Sequence, residues 1–121
     1  MDTLVSELLQ FQLSVKILHW QTRSYAKHIA TDTLYKSLSD NIDKFVEIMQ
    51  GKYGRVKFST DASISIINFD KKNDENLIKY IQQWLETKLP KMIHEDDTDL
   101  LNIRDEMLGT VKQTRYLFTL N

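Results

Sequence analysis

Residues 15–50 read VKILHWQTRSYAKHIATDTLYKSLSDNIDKFVEIMQ, and two helices are legible in this stretch at once. Apolar residues recur at three- and four-residue spacing on both sides of a short polar break at Arg23-Ser24. Upstream, Leu4, Leu8, Phe11, Val15 and Leu18 form one amphipathic stripe, predicting a helix from about Thr3 to Thr22 that Asp2 caps. Downstream, Leu34, Leu38, Ile42, Phe45 and Met49 form a second stripe, predicting a helix from about Tyr25 to Gln50. Ser24 supplies its N-cap and Gly51 its C-terminal stop. Helices joined by so tight a turn lie antiparallel.

The same periodicity places a third helix at about Asp74 to Leu89, with Leu77, Ile78, Ile81, Trp84 and Leu85 on its core side and Pro90 ending it. A fourth runs from about Thr98 to Leu120 through Leu100, Ile103, Met107, Val111 and Phe118, with Gly109 as a weak point inside it. Between the second and third helices, Gly51 to Asn73 is long for a loop in so small a chain and suits one long crossover. Ile64-Ser65-Ile66-Ile67 within it is expected to pack as an extended segment or a short helix. The expected fold is all-α: a single domain over residues 1–121, a ferritin-like four-helix bundle with one long crossover between helices 2 and 3.

Composition narrows the function. The chain of 121 residues has no cysteine, which excludes thiolate metal sites, disulfides and cysteine nucleophiles. Three glycines and one proline favour helices over a β-rich fold. A net charge of −1 argues against nucleic acid as a partner, since phosphate neutralisation carries most of that affinity. Lys52, Arg55, Lys57, Lys71 and Lys72 form a loose basic cluster, read as loop solvation. No stretch is long and apolar enough to span a membrane, and the expected location is the cytoplasm, that of a host cell if the gene is viral.

The polar residues of the second helix carry the chemistry. On a helical wheel His28, Asp32, Asp43 and Glu47 share an arc of roughly 100°, turned about 130° from that helix's own core stripe. His28 with Asp32, and Asp43 with Glu47, are each one turn apart, a spacing at which two side chains can hold one ion. The two pairs stand roughly 16 Å apart along the axis, too far for one ion in one chain. They are nevertheless symmetric about a point between Ser37 and Leu38. If the helix packs antiparallel on its own copy there, His28 meets Glu47 and Asp32 meets Asp43 across a twofold axis, making two equivalent sites. His19, in the last turn of the first helix, converges on His28 through the tight turn. Imidazoles with carboxylates suit iron, and also zinc or manganese. Each residue has an ordinary reading as well: a solvated carboxylate, a satisfied core histidine, or a locally bonded His28–Asp32 couple.

At His19-Trp20, His28, Asp32, Asp43 and Glu47 the sequence resembles the Dps family of mini-ferritins, over roughly residues 8–50. The resemblance implies a ferroxidase centre shared across a homodimer interface, with His19, His28 and Asp32 from one subunit and Asp43 and Glu47 from the other. Iron, Fe(II) oxidised to Fe(III) by peroxide or dioxygen, would be the metal, with zinc or manganese as substitutes. Trp20 matches a tryptophan beside the family's iron site, where it could intercept a radical; packing is its other reading. The sequence is shorter than the family pattern, its inter-helix turn is tighter, and no Lys-rich tail precedes the first helix. Those departures bear on the multi-subunit cage more than on the metal site. The competing function is a helical dimerisation or adaptor protein with a vestigial or structural metal site. His94 with Glu95, Asp96 and Asp97 reads as a solvated acidic cap for the fourth helix.

Overall fold

The computed structural model describes residues 1–120. Helix α1 spans Asp2–Gln21 and α2 spans Tyr25–Tyr53. Helix α3, Asp74–Gln83, passes through a π-helical turn at Trp84–Lys88 into the short α4, Leu89–Met92, and α5 follows at Thr98–Leu117. No strand occurs among the described residues. The protein is therefore all-helical, with α3 and α4 acting as one rod of a four-helix bundle.

Three side chains fix the relative directions of the rods. Lys27, in the first turn of α2, pairs with Asp74 at the start of α3 at 2.6 Å and lies 5.1 Å over the ring of Phe118 just after α5. At the opposite end, Lys52 and Tyr53 of the last turn of α2 both donate to Asp97, the N-cap residue of α5. So α1 and α5 run one way while α2 and α3 run the other. Helix α1 packs on α2, α2 on α5, α5 on α3, and α3 on α1, which makes every neighbour antiparallel.

The stripes named from the sequence meet in the middle. Leu8, Val15, Leu34, Leu38, Phe45, Met49, Ile78, Ile81, Leu85, Met107 and Val111 are fully buried. Burial of each such side chain stabilises by about 1.5–3 kcal/mol, which outweighs any surface pair in so small a domain. Phe11 sits edge-on to Trp84, with ring centroids 5.1 Å apart, and to Tyr80 at 5.8 Å. Such pairs add about 0.5–1.5 kcal/mol each beyond their area.

Of the two expectations for Gly51–Asn73, the extended form of the crossover holds, whereas the stop at Gly51 and the packing of Ile66 and Ile67 need correction. Gly51 does not stop α2; the helix continues for another turn and ends at Gly54, whose φ of 90° is open to glycine at no steric cost. The crossover that remains is pinned rather than packed. The Gln10 carboxamide donates to the carbonyl of Ser65 and accepts its N–H, at 2.8 and 2.7 Å. Eleven residues on, Gln21 accepts from Phe69 N–H at 2.7 Å and donates to Asn68 Oδ1. The crossover thus runs parallel to α1 as an extended strap, with Ile66 and Ile67 exposed rather than packed and Phe69 buried.

Pro90 does not end the third helix either. Its ring removes the N–H that would bond Glu86, and the chain adjusts by widening one turn. Leu89 N–H then bonds Trp84 O, one residue further back than in an α-helix. The carbonyl of Leu85 is left without its α-helical donor, and Arg104 of α5 donates to it at 3.0 Å. Helix–helix pairing thus satisfies the group that the proline orphaned.

Candidate metal site

His19 is in the last turn of α1 and His28 in the first turn of α2, on either side of the Thr22–Ser24 turn. That turn closes tightly because Ser24 Oγ accepts from Lys27 N–H at 3.2 Å and Thr22 Oγ1 from Ser24 N–H at 3.2 Å. The two imidazoles come face to face, centroids 4.0 Å apart and planes 19° from parallel.

Their hydrogen bonds are reciprocal. His19 Nδ1 donates to the carbonyl of His28 at 2.9 Å, and His28 Nδ1 donates to the carbonyl of His19 at 3.1 Å. A carbonyl only accepts, so both rings carry a proton on Nδ1, and in the neutral tautomer Nε2 is the nitrogen with the lone pair. The buried hydroxyl of Thr31 sits 3.3 Å from His19 Nδ1 and donates to the carbonyl of Lys27 at 2.7 Å. Anchoring one ring nitrogen on a backbone carbonyl is how proteins orient a histidine for metal binding at the other. His19 is buried and His28 exposed, so the pair opens outward.

Asp32 stands one turn beyond His28, half-buried, and binds Lys36 at 3.0 Å. The Lys36 ammonium is the main reason its carboxyl lies below the ordinary value, and the field of Lys16 adds to the lowering. Asp43 and Glu47 are exposed on the same side of α2 and enter no ion pair among the described residues. They lie about 16 and about 22 Å along the helix from Asp32. A single chain therefore brings His19 and His28 together, with Asp32 one helical turn on from His28, and leaves Asp43 and Glu47 far along α2. Among the described residues, no group of three or more histidine and carboxylate side chains is placed to hold one ion.

Trp20 does not pack into the core. It is 68% exposed, with the Lys16 ammonium 5.7 Å above its ring, and the same ammonium lies 4.6 Å over Tyr35. Tyr25 and Ile29 are exposed nearby in sequence, at 79% and 47%.

The pattern of a family described as "Family of unknown function (DUF5856)" matches residues 19–118, from His19 through Phe118. The chain belongs to this family. The DUF5856 match takes in His19, Trp20, His28, Asp32, Asp43 and Glu47 together with the crossover and the last two rods. An "Uncharacterized 14.6 kDa protein in mobD-ri intergenic region" of Enterobacteria phage T4 is 30% identical over 119 residues, 98% of this chain and 88% of that protein. No solved structure matches the chain significantly.

Two features, one beside the histidines and one at the opposite end of the bundle, escaped the sequence. Lys36 has no signature as a carboxylate partner beyond its one-turn spacing from Asp32, a pattern common on any solvated helix. Asp97 was expected in a solvated cap, yet it is buried and takes Lys52, Tyr53 and the His94 N–H. His94, Glu95 and Asp96 beside it are exposed, as expected. No helix among the described residues is long and apolar enough to cross a membrane.

Proposed function

We propose that the chain is a ferritin-like iron-binding protein whose metal sites are completed across a twofold homodimer interface. In this reading α2 packs antiparallel on the α2 of a second copy, centred between Ser37 and Leu38. His19, His28 and Asp32 of one subunit face Asp43 and Glu47 of the other, twice per dimer. Two Fe(II) ions bound at a site each give up one electron; peroxide takes the two electrons with two protons and leaves as water. Dioxygen would accept the same two electrons and leave as peroxide. The resemblance to Dps mini-ferritins supplies this chemistry, and iron sequestration with protection from oxidative damage is the role it implies. A larger cage built from such dimers belongs to the same reading, as does a cytoplasmic location.

The observation that supports it most is the reciprocal His19–His28 pairing, which engages both Nδ1 atoms and leaves the Nε2 atoms as the available ring nitrogens, with Asp32 one helical turn from His28. Neutral imidazole with carboxylate oxygen fits ferrous and ferric iron, and fits zinc or manganese as well. The register adds support. The same antiparallel pairing that sets His28 against Glu47 sets exposed Ile29 against half-buried Val46, apolar on apolar. Lys36 would have to release Asp32; its side chain is 72% exposed, so little holds it there. Trp20, exposed beside the histidines, is positioned to intercept a stray oxidising equivalent in this reading.

The Lys36–Asp32 pair also favours a second reading, a dimerisation or adaptor protein in which the site is vestigial or structural. Anaerobic Fe(II) titration followed by peroxide separates them. The first reading expects Fe(III) to form at two irons per peroxide, with zinc inhibiting. Dimers that bind zinc or iron but consume no peroxide or dioxygen would establish the second. A monomer that binds neither metal would overturn both.

A further inference from the structure

Where the end of α1, the start of α2, the end of the crossover and the start of α3 meet, they enclose a cavity of about 700 Å³. Its apolar floor is Leu18 and Phe69, both buried. Its rim carries four cations, Arg23, Lys27, Lys71 and Lys72, against two carboxylates, Asp70 and Asp74.

Those six charges are not equivalent. Lys27 and Asp74 are 2.6 Å apart and neutralise each other within the wall. Asp70 accepts the backbone N–H of Lys72 at 2.8 Å, which ties its carboxylate to the loop. Arg23, Lys71 and Lys72 enter no ion pair among the described residues, and their side chains belong to exposed residues. The cavity therefore has an excess of about two positive charges at its mouth over an apolar floor. The first turn of α2 holds no acidic residue, so its helix end adds to the positive field. The walls are fixed: Gln21 holds Phe69 to α1, and Lys27–Asp74 joins α2 to α3.

We propose that this cavity binds a small organic phosphate monoester. Its dianionic phosphoryl group would meet Arg23, Lys71 and Lys72, and its ring would lie on Leu18 and Phe69. The charge excess matches a phosphate dianion, and a guanidinium with two ammoniums is the donor set that phosphate oxygens take. The volume is within the range of small-molecule sites and accommodates a body of mononucleotide size. A long polyanion is disfavoured, because the cations surround a bounded hollow on a chain of net charge −1. This binding does not depend on the metal reading.

The test uses the full chain, with chelator present, and three probes: 1-naphthyl phosphate, 1-naphthol and inorganic phosphate. Calorimetry gives affinities, and amide shifts of the ¹⁵N-labelled chain give location. Naphthyl phosphate is expected to bind at least about tenfold tighter than either part, since ring and phosphate are held together. Its shifts should centre on residues 18–27 and 69–74, and affinity should fall as salt rises. The double variant R23Q/K71Q should lose about tenfold or more with an unchanged Tm, while R23K/K71R retains binding. Naphthol binding as tightly as its phosphate, shifts centred elsewhere, a salt-independent affinity, or full binding by R23Q/K71Q would each overturn the proposal.

Discussion

His19 and His28 hold each other's backbone: each imidazole donates from Nδ1 to the other residue's carbonyl, with the rings stacked 4.0 Å apart. The arrangement joins two helices at their connecting turn and at the same time settles which nitrogen of each ring keeps its lone pair. Each histidine makes one such bond, and together they hold both rings at the same end of the bundle, one helical turn from Asp32; the metal proposal starts from this pairing.

The dimer comes first among its consequences. Sedimentation should give twice the 14.3 kDa chain mass or an even multiple of it, and never a single chain. Ile29→Asp places a charge where the antiparallel register brings Val46, and should weaken association by at least about tenfold with the fold retained. Association unchanged by this substitution would show that α2 is not the contact.

Iron oxidation should depend on two residues that the isolated chain leaves idle. Asp43→Ala and Glu47→Ala remove exposed carboxylates, so Tm should stay within about 2–3 °C of wild type. The rate of Fe(III) formation should nonetheless fall by about tenfold or more, because the ferric product loses its charge partner. Wild-type rates in both variants, followed by absorbance, would remove these residues from the site.

Acid and alkaline stability should be governed at the other end of the bundle. Lys52 and Tyr53 hold the Asp97 carboxyl down from 3.8 to about 2, and Asp97 in turn raises Lys52 above 10.5. A lowered carboxyl contributes stability that is complete above 3.8 and is lost as pH falls from there towards 2. A raised lysine contributes stability that is complete below 10.5 and is lost as pH climbs through its folded value. Tm should therefore decline on both sides, and Asp97→Asn should lower the plateau by several degrees and flatten both slopes. Equal slopes in wild type and Asp97→Asn, measured by calorimetry, would contradict this role.

Duplex DNA should not bind at physiological salt, given a net charge of −1. A mobility shift near micromolar protein under those conditions would contradict it.

The bundle was legible because its four stripes are long and regular: Leu34, Leu38, Ile42, Phe45 and Met49 repeat the helical period without interruption, and all five are buried. The errors fell where local signals compete with context. Gly51 reads as a stop, yet nothing crowds it and the helix runs on to Gly54. Pro90 reads as a terminator, but Arg104, fourteen residues later on α5, supplies the donor that lets the helix continue in π form. Asp97 reads as one acid among several, and its burial depends on Lys52 and Tyr53, which lie more than forty residues away. The wheel placed the site residues on one face, and spacing could do no more. The Nδ1 bonds that orient the histidines involve backbone atoms invisible to any motif, and the Lys71–Lys72 pair looked like loop solvation until the strap brought it to the mouth of a cavity.

The shared site is tested most directly by mixing two inactive variants, Asp32→Ala and Glu47→Ala, under conditions where subunits exchange, and measuring Fe(II) oxidation. Each homodimer is defective at both sites. In a mixed dimer the two lesions fall in one site and leave the other whole, so random exchange should restore about a quarter of the wild-type rate. If each site instead drew all its ligands from one chain, every subunit would remain defective; a mixture no more active than the separate variants would contradict the shared site.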